Sequence, residues 1–246
     1  AHTVSTTHQR LRDKRFPHAW HCGCPSDRAT ARARTMYGFA GHIAGAEHKL
    51  PSVTTVLGQT QPKDKANSLQ RWRDRVGAAE AAKITSEAAA RGTSMHLYLE
   101  KYCLGEGYLD LTDVGNVAKH MAEKIVDNGI DNRLTEIYGN EATLYYPHLY
   151  AGSVDLVGQL DGSIAIIDFK QTNKPKQREW IGDYFLQMAA YGMAHDAVYG
   201  TTIEKGVILM CSKDLYYQEF VIEGEEYRTA KHGFLRRLDQ FYKENM

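Results

Sequence analysis

Apolar positions divide the chain into stretches of different period. From about Ser52 to Leu104 they recur at helical spacing, with interruptions around Gly58–Asp64 and near Gly77 and Gly92. Pro51-Ser52-Val53-Thr54 opens this stretch with a hydroxyl just ahead of an apolar turn, the signature of a helix N-cap. Ala78–Ala90 is rich in Ala, Glu and Lys, all strong helix formers. A further helix is predicted over Asp113–Asp127, ended by Asn128-Gly129. The period then shortens. Strands are predicted over Asn140–Tyr146, Tyr150–Gln159 and Ser163–Lys170, with Asp161-Gly162 as a hairpin turn between the last two. The run Ile164-Ala165-Ile166-Ile167 predicts a strand buried on both faces. A helix over Trp180–Tyr199, strands over Gly206–Cys211 and Tyr216–Ile222, and a helix over Glu225–Glu244 complete the order. Helices, a three-stranded meander, a helix, two strands and a helix predict an α/β (α+β) domain with a mixed central sheet.

Residues 1–50 lack this periodicity and form a separate region, a basic N-terminal arm ahead of a domain at 51–246. Arg10, Arg12, Lys14, Arg15, Arg28, Arg32 and Arg34 outweigh Asp13, Asp27 and Glu47 there. Such a segment is a solvated tail or an arm on phosphate. Over all 246 residues, 30 Lys and Arg balance 30 Asp and Glu. Zero net charge argues against a protein that wraps nucleic acid in a global positive field. The basic residues are segregated, however, so a local channel stays open to the chain.

No apolar run reaches the roughly 18 residues of a membrane span. The N-terminus lacks a signal-peptide core. Cys22, Cys24, Cys103 and Cys211 are unevenly spaced and fit a reducing compartment, so an intracellular setting is expected. Cys22-Gly23-Cys24 beside His18 and His21 is too tight for the usual zinc spacing, and no second pair follows.

The chemistry concentrates at Gly152-Ser153-Val154-Asp155 and Asp168-Phe169-Lys170. The two aspartates lie on consecutive strands of a hairpin, where they can converge. Two close carboxylates repel, and a divalent cation offsets that repulsion. Hard oxygen ligands favour Mg²⁺ or Mn²⁺. Lys170 leaves the same strand face as Asp168, where an ammonium can place water or offset charge on a phosphate. Taken alone, the pattern also fits two turn aspartates and a solvated lysine.

Further motifs lie on either side. Gly92-Thr93-Ser94-Met95-His96 forms G-x-x-x-H, Glu141 precedes Asp155 on the preceding strand, and Gln187 to Tyr191 forms Q-x-x-x-Y at one-turn spacing. Together with G-x-x-D, D-x-K and Pro51–Thr54, this order resembles the PD-(D/E)XK nuclease superfamily in its RecB-like exonuclease branch, and is similar to the mitochondrial genome maintenance type. Val154 stands where the superfamily name has Pro.

The resemblance covers about residues 50–242 and implies a restriction-endonuclease-like fold. It implies metal ligation by His96, Asp155, Asp168 and the Phe169 carbonyl, with Lys170 as the catalytic lysine and Glu141 near the metal. Ser52, Thr54, Thr172, Gln187 and Tyr191 would support the site or touch DNA. Arg71, Trp72, Arg73 and Arg75, with Lys174, Lys176 and Arg178 after the reactive strand, combine the cations and aromatic faces that single strands need. The implied protein is an Mg²⁺- or Mn²⁺-dependent DNA exonuclease acting on single-stranded ends, in a bacterial or phage-infected cytoplasm or in the mitochondrial matrix. It would carry no iron–sulfur cluster, since Cys103 and Cys211 do not match that arrangement, and would act away from membranes; its oligomeric state stays open between monomers and rings, with a monomer as the first expectation. A duplex-end exonuclease, a structure-specific endonuclease and a catalytically silent DNA-binding module are the alternatives.

Overall fold

A computed structural model describes residues 50–245. The basic arm, with Cys22, Cys24, His18 and His21, lies outside the described residues.

Three helices come first. Helix α1, Val53–Gln59, is capped by Ser52, whose Oγ accepts from the Thr55 N–H at 3.0 Å. Helix α2, Lys63–Val76, buries none of its residues. Gly77, at φ +87°, breaks the helix in a conformation that disfavours a side chain, and α3 then runs from Ala78 to Leu104. Gly92 does not interrupt α3, contrary to the sequence expectation. A Cβ at that position would sit 3.2 Å from Gln171 Cγ, so this glycine serves a close helix–strand approach. Helix α4, Asp113–Ile125, does not stop at Asn128-Gly129 but continues as a π-helical turn over Val126–Ile130.

The sheet follows in sequence order. Strands β1 (Leu134–Tyr146), β2 (Tyr150–Leu160) and β3 (Ser163–Thr172) form the antiparallel meander. Asp161 and Gly162 both have positive φ, at 51° and 86°, as a tight hairpin turn with matching twist requires. A short 3₁₀ turn, Arg178–Trp180, leads into α5, Gly182–Tyr199. The α5 crossover makes β4 (Lys205–Ser212) parallel to β3, and β5 (Tyr217–Glu223) returns antiparallel at the edge. Helix α6, Gly224–Asn245, closes the chain.

The alternating side chains of this mixed sheet feed two cores. Ala165, Ile167, Phe169, Leu209 and Cys211 face α3 and α4. Ile166, Ile208, Met210, Phe220 and Ile222 face α1, α5 and α6. Both faces of β3 are therefore apolar, as its sequence predicted. Each large side chain removed from water contributes about 1.5–3 kcal/mol. The result is a mixed five-stranded sheet flanked by helices, consistent with a restriction-endonuclease-like fold. Among the described residues, no helix is long and apolar enough to cross a membrane.

Candidate active site

The β2–β3 register ends at the pair Leu156–Ile167, and Asp155 and Asp168 are the next residues of the two strands. The Phe169 N–H donates to Asp155 Oδ2 at 2.8 Å, which fixes the first carboxylate against the second strand. On the other side of β2, Asn140 pairs with Leu156 and Ala142 with Val154, so Glu141 stands opposite Asp155. Glu141 has φ +49°, in the left-handed region, just past irregularities in the β1 register. Backbone strain of this kind collects at functional sites. His96 arrives from α3 on the opposite layer and places Nδ1 3.3 Å from Asp155 Oδ1. Ligand atoms of His96, Glu141 and Asp155 all lie within 4.8 Å of one another.

Asp168 and Lys170 point the other way from Phe169, toward α5. Lys170 Nζ lies 2.7 Å from Asp168 Oδ2, donates to Gln187 Oε1 at 3.1 Å, and sits 4.6 Å from the Tyr184 ring centre. The Gln187 amide donates onward to the Tyr191 hydroxyl at 3.0 Å. Gln187 and Tyr191 are thus joined at i, i+4 on one helix face, as their spacing predicted. Gly152 is needed beside them, because a Cβ there would come within 2.6 Å of Tyr191 Cε1.

Burial and charge pull on these groups in opposite directions. Burial alone would lower His96, but Asp155 and Asp168 overcome it and raise the imidazole to about 9. Burial would raise Asp155, yet His96 and Lys170 hold it well below the ordinary carboxylate range. Asp168 is pushed up to about 7 by burial, against the pull of Lys170 and with the help of Asp155. Burial disfavours the Lys170 ammonium, but Asp168 and Asp155 keep it charged and above its usual value. Titratable groups pushed apart in one recess mark reactive sites.

The donor set fits a divalent cation. It combines hard carboxylate oxygens with an imidazole nitrogen. Asp168 Oδ2 is buried and makes no directed hydrogen bond, although Lys170 lies close to it. The structure brings His96, Glu141 and Asp155 together as one ligand cluster, with Asp168 alongside on the Lys170 branch and the Phe169 backbone between the two.

The supporting residues divide. Pro51 accepts from the Ala151 N–H at 3.0 Å and Ser52 bridges to Ala151, so the cap of α1 is tied to the start of β2, while Thr54 is exposed. Thr172 is buried at the end of β3. Arg71, Arg73 and Arg75 are exposed on α2 and Trp72 is half-buried. The start of α2 reaches α5 through Lys65 and Asp183, 3.3 Å apart and one residue from Tyr184. Lys174 is exposed and Lys176 half-buried. Arg178 is committed elsewhere: it donates to Glu226 and to the Val221 carbonyl at 2.9 Å, and covers the Phe185 ring. These contacts tether the loop to β5 and α6.

Two residues near the site went unnoticed in the sequence. Arg91 is only 7% exposed and donates to Gln171 Oε1 at 3.0 Å and to Asn173 Oδ1. It thereby pins the chain just beyond Lys170, and its signal was its place directly before the G-x-x-x-H motif. Tyr184 supplies the ring beside Lys170, one turn ahead of Gln187.

A mixed sheet brings Asp155 beside Asp168-x-Lys170, and a long helix brings in His96. The chain is similar in sequence to proteins named mitochondrial genome maintenance exonuclease 1. It is 31% identical to mitochondrial genome maintenance exonuclease 1 of Xenopus tropicalis over 182 residues, 69% of this chain and 50% of that protein. The Mus musculus protein of the same name is 30% identical over 178 residues, 68% of this chain and 51% of that one. The chain spans about half the length of these curated relatives. A solved Eubacterium rectale protein, provisionally described as an exonuclease, shares 13% identity at a TM-score of 0.41, covering 63% of this chain and 68% of that one; the likeness is too loose to inform function. No family model matches the chain.

Proposed function

We propose that this protein is a divalent-metal-dependent exonuclease that hydrolyses phosphodiester bonds at free ends of single-stranded DNA. The observation that carries the reading is the meeting of His96, Glu141 and Asp155 beside the buried Asp168–Lys170 pair. The relatives' shared name supports nuclease activity and a mitochondrial setting for this chain.

His96, Asp155, Asp168 and the Phe169 carbonyl would hold Mg²⁺ or Mn²⁺, with Glu141 beside it. Such an ion polarises a phosphate and lowers the pKa of a bound water. The chain's own groups do the rest. Lys170, held charged between Asp168 and Gln187, orients the attacking water and offsets negative charge on the phosphate. Gln187, Tyr191 and the Tyr184 ring keep the ammonium in place. Arg91 fixes the strand exit through Gln171 and Asn173. Arg71, Arg73 and Arg75 on α2, with Trp72 among them, and Lys174 and Lys176 on the loop after β3, are the proposed contacts to the DNA strand.

The test is digestion of labelled single- and double-stranded DNA, linear and circular, with Mg²⁺ or EDTA. Cleavage of linear single strands that EDTA abolishes is the expected result. Digestion of circles would make the enzyme an endonuclease, and binding without cleavage would overturn the enzymatic reading.

A further inference from the structure

The sheet face that carries Lys170 continues past the reactive residues. Residues directly across a β-ladder share a face, and the register therefore defines rows. Asp168, Ile208 and Phe220 form one row; Lys170, Met210 and Gln218 form the next. The row beyond begins with Thr172 opposite Ser212. It continues into the β4–β5 turn, where the Ser212 N–H donates to the Tyr216 carbonyl at 3.0 Å and the Tyr216 N–H donates to Ser212 Oγ at 3.3 Å. Tyr216 thus extends that row, two strands across and one row up from Lys170. Strand spacing and rise put it about 12 Å away.

The inner rows are closed. Ile208, Met210 and Phe220 are buried. Gln218 clamps the loop after β3, accepting from the Lys176 N–H at 2.8 Å and donating to its carbonyl at 2.9 Å. Tyr216, by contrast, is 58% exposed. The turn beneath it is held firmly: the Lys213 N–H donates to the Thr172 carbonyl and the Leu215 N–H to the Ser212 carbonyl, both at 2.9 Å. An exposed aromatic ring on a firmly held backbone therefore stands at the rim. Exposed Lys213 adjoins it on the turn, and exposed Lys174 lies on the clamped loop; Asp214 is the acid beside them.

We propose that Tyr216 is a stacking platform for an unpaired base of a nucleic-acid strand whose backbone reaches Lys170, with Lys174 and Lys213 against its phosphates. The proposal rests on the nuclease reading above. An aromatic ring stacks on any base, because every base offers a π-face, so the contact would hold the strand without reading its sequence.

The experiment uses the full chain and an end-labelled oligothymidylate in EDTA, so that binding is read by fluorescence anisotropy without cleavage. Tyr216→Ala is expected to weaken binding by about 5- to 150-fold, the range for loss of one stacked base. Tyr216→Phe should bind like the parent. An abasic oligonucleotide should bind the parent and Tyr216→Ala equally, since phosphate contacts alone remain. If the parent binds and Tyr216→Ala matches it within twofold, the platform is refuted while the nuclease reading stands. If the parent neither binds nor cleaves single strands, the nuclease reading fails and the platform with it. Should Tyr216→Ala fold poorly, the parent alone decides: equal affinity for normal and abasic strands refutes stacking.

Discussion

Lys170 donates to Gln187 Oε1 at 3.1 Å while standing 2.7 Å from Asp168. The ammonium is therefore held by a neutral partner from α5 as well as by the carboxylate of its own strand. Gln187→Ala removes the neutral partner and leaves the ammonium without its second polar anchor. The expected effect is a fall in kcat of up to about 100-fold with KM little changed, since a misplaced group costs rate more than binding. Steady-state kinetics on a single-stranded substrate check this split.

Lys170→Ala removes the group itself. Cleavage should fall by about a thousandfold, within the usual range for a positioned proton-transfer or charge-offsetting group. DNA affinity should stay within a few-fold of the parent, because phosphate contacts are assigned to other cations. Activity that persists in this variant would exclude the assigned role.

The metal claim has its own readout in stability. A ligand that binds only the folded state raises stability by about 2.7 kcal/mol at one hundred times its dissociation constant. Mg²⁺ or Mn²⁺ should raise the melting midpoint of the parent. Asp155→Asn keeps an oxygen able to accept from the Phe169 N–H, so the fold survives, but the metal-induced shift should vanish. An equal shift in parent and variant would rule Asp155 out as a ligand.

Gly152 and Tyr191 test the packing behind the site. A methyl at 152 would meet Tyr191 Cε1 at 2.6 Å, so Gly152→Ala should cost about 1–3 kcal/mol as overpacking. In a Tyr191→Leu background the same change should cost markedly less, a coupling that urea melts of the four proteins would show.

How far the sequence reaches is visible in particular residues. Asp161-Gly162 announced the β2–β3 hairpin because a two-residue turn demands positive φ, which those residues tolerate. That hairpin brings Asp155 and Asp168 together just past its last pair, so the centre of the candidate site was legible. Gly92 misled, because glycine reads as a break whereas here it admits Gln171 against a continuous helix. Gly129 is similar: a Cβ would come within 2.8 Å of Leu209, so the expected helix stop is a close passage of the π turn over the sheet. β1 begins at Leu134, earlier than expected, because two register irregularities break the alternation on which a strand prediction depends. Arg91 escaped because a cation on a polar helix reads as solvated, and only the tertiary structure supplies its partners in Gln171 and Asn173.

Remote from the site, His195 makes a prediction about acid stability. It is buried near the end of α5, and burial lowers its imidazole from 6.5 to about 4. The hydroxyl of Thr201 gives its proton to Asp196 Oδ1 at 2.7 Å, so His195 Nδ1, 2.7 Å from that hydroxyl, is the donor to it. The Tyr199 ring packs against the imidazole edge-on. Between pH 6.5 and about 4 the unfolded chain binds a proton at this position and the folded chain does not. The His195 contribution is thus fully present above pH 6.5 and is lost as the pH falls toward 4. Its slope cannot exceed about 1.4 kcal/mol per pH unit. Asp168, raised to about 7, acts in the opposite sense, because in the same range the folded state holds the extra proton. The His195 share must therefore be read as a difference. Unfolding free energies of the parent and His195→Gln, measured from pH 7 to pH 4, should differ most above pH 6.5 and converge on acidification. A difference that is constant across this range would show that His195 is not held neutral by its burial.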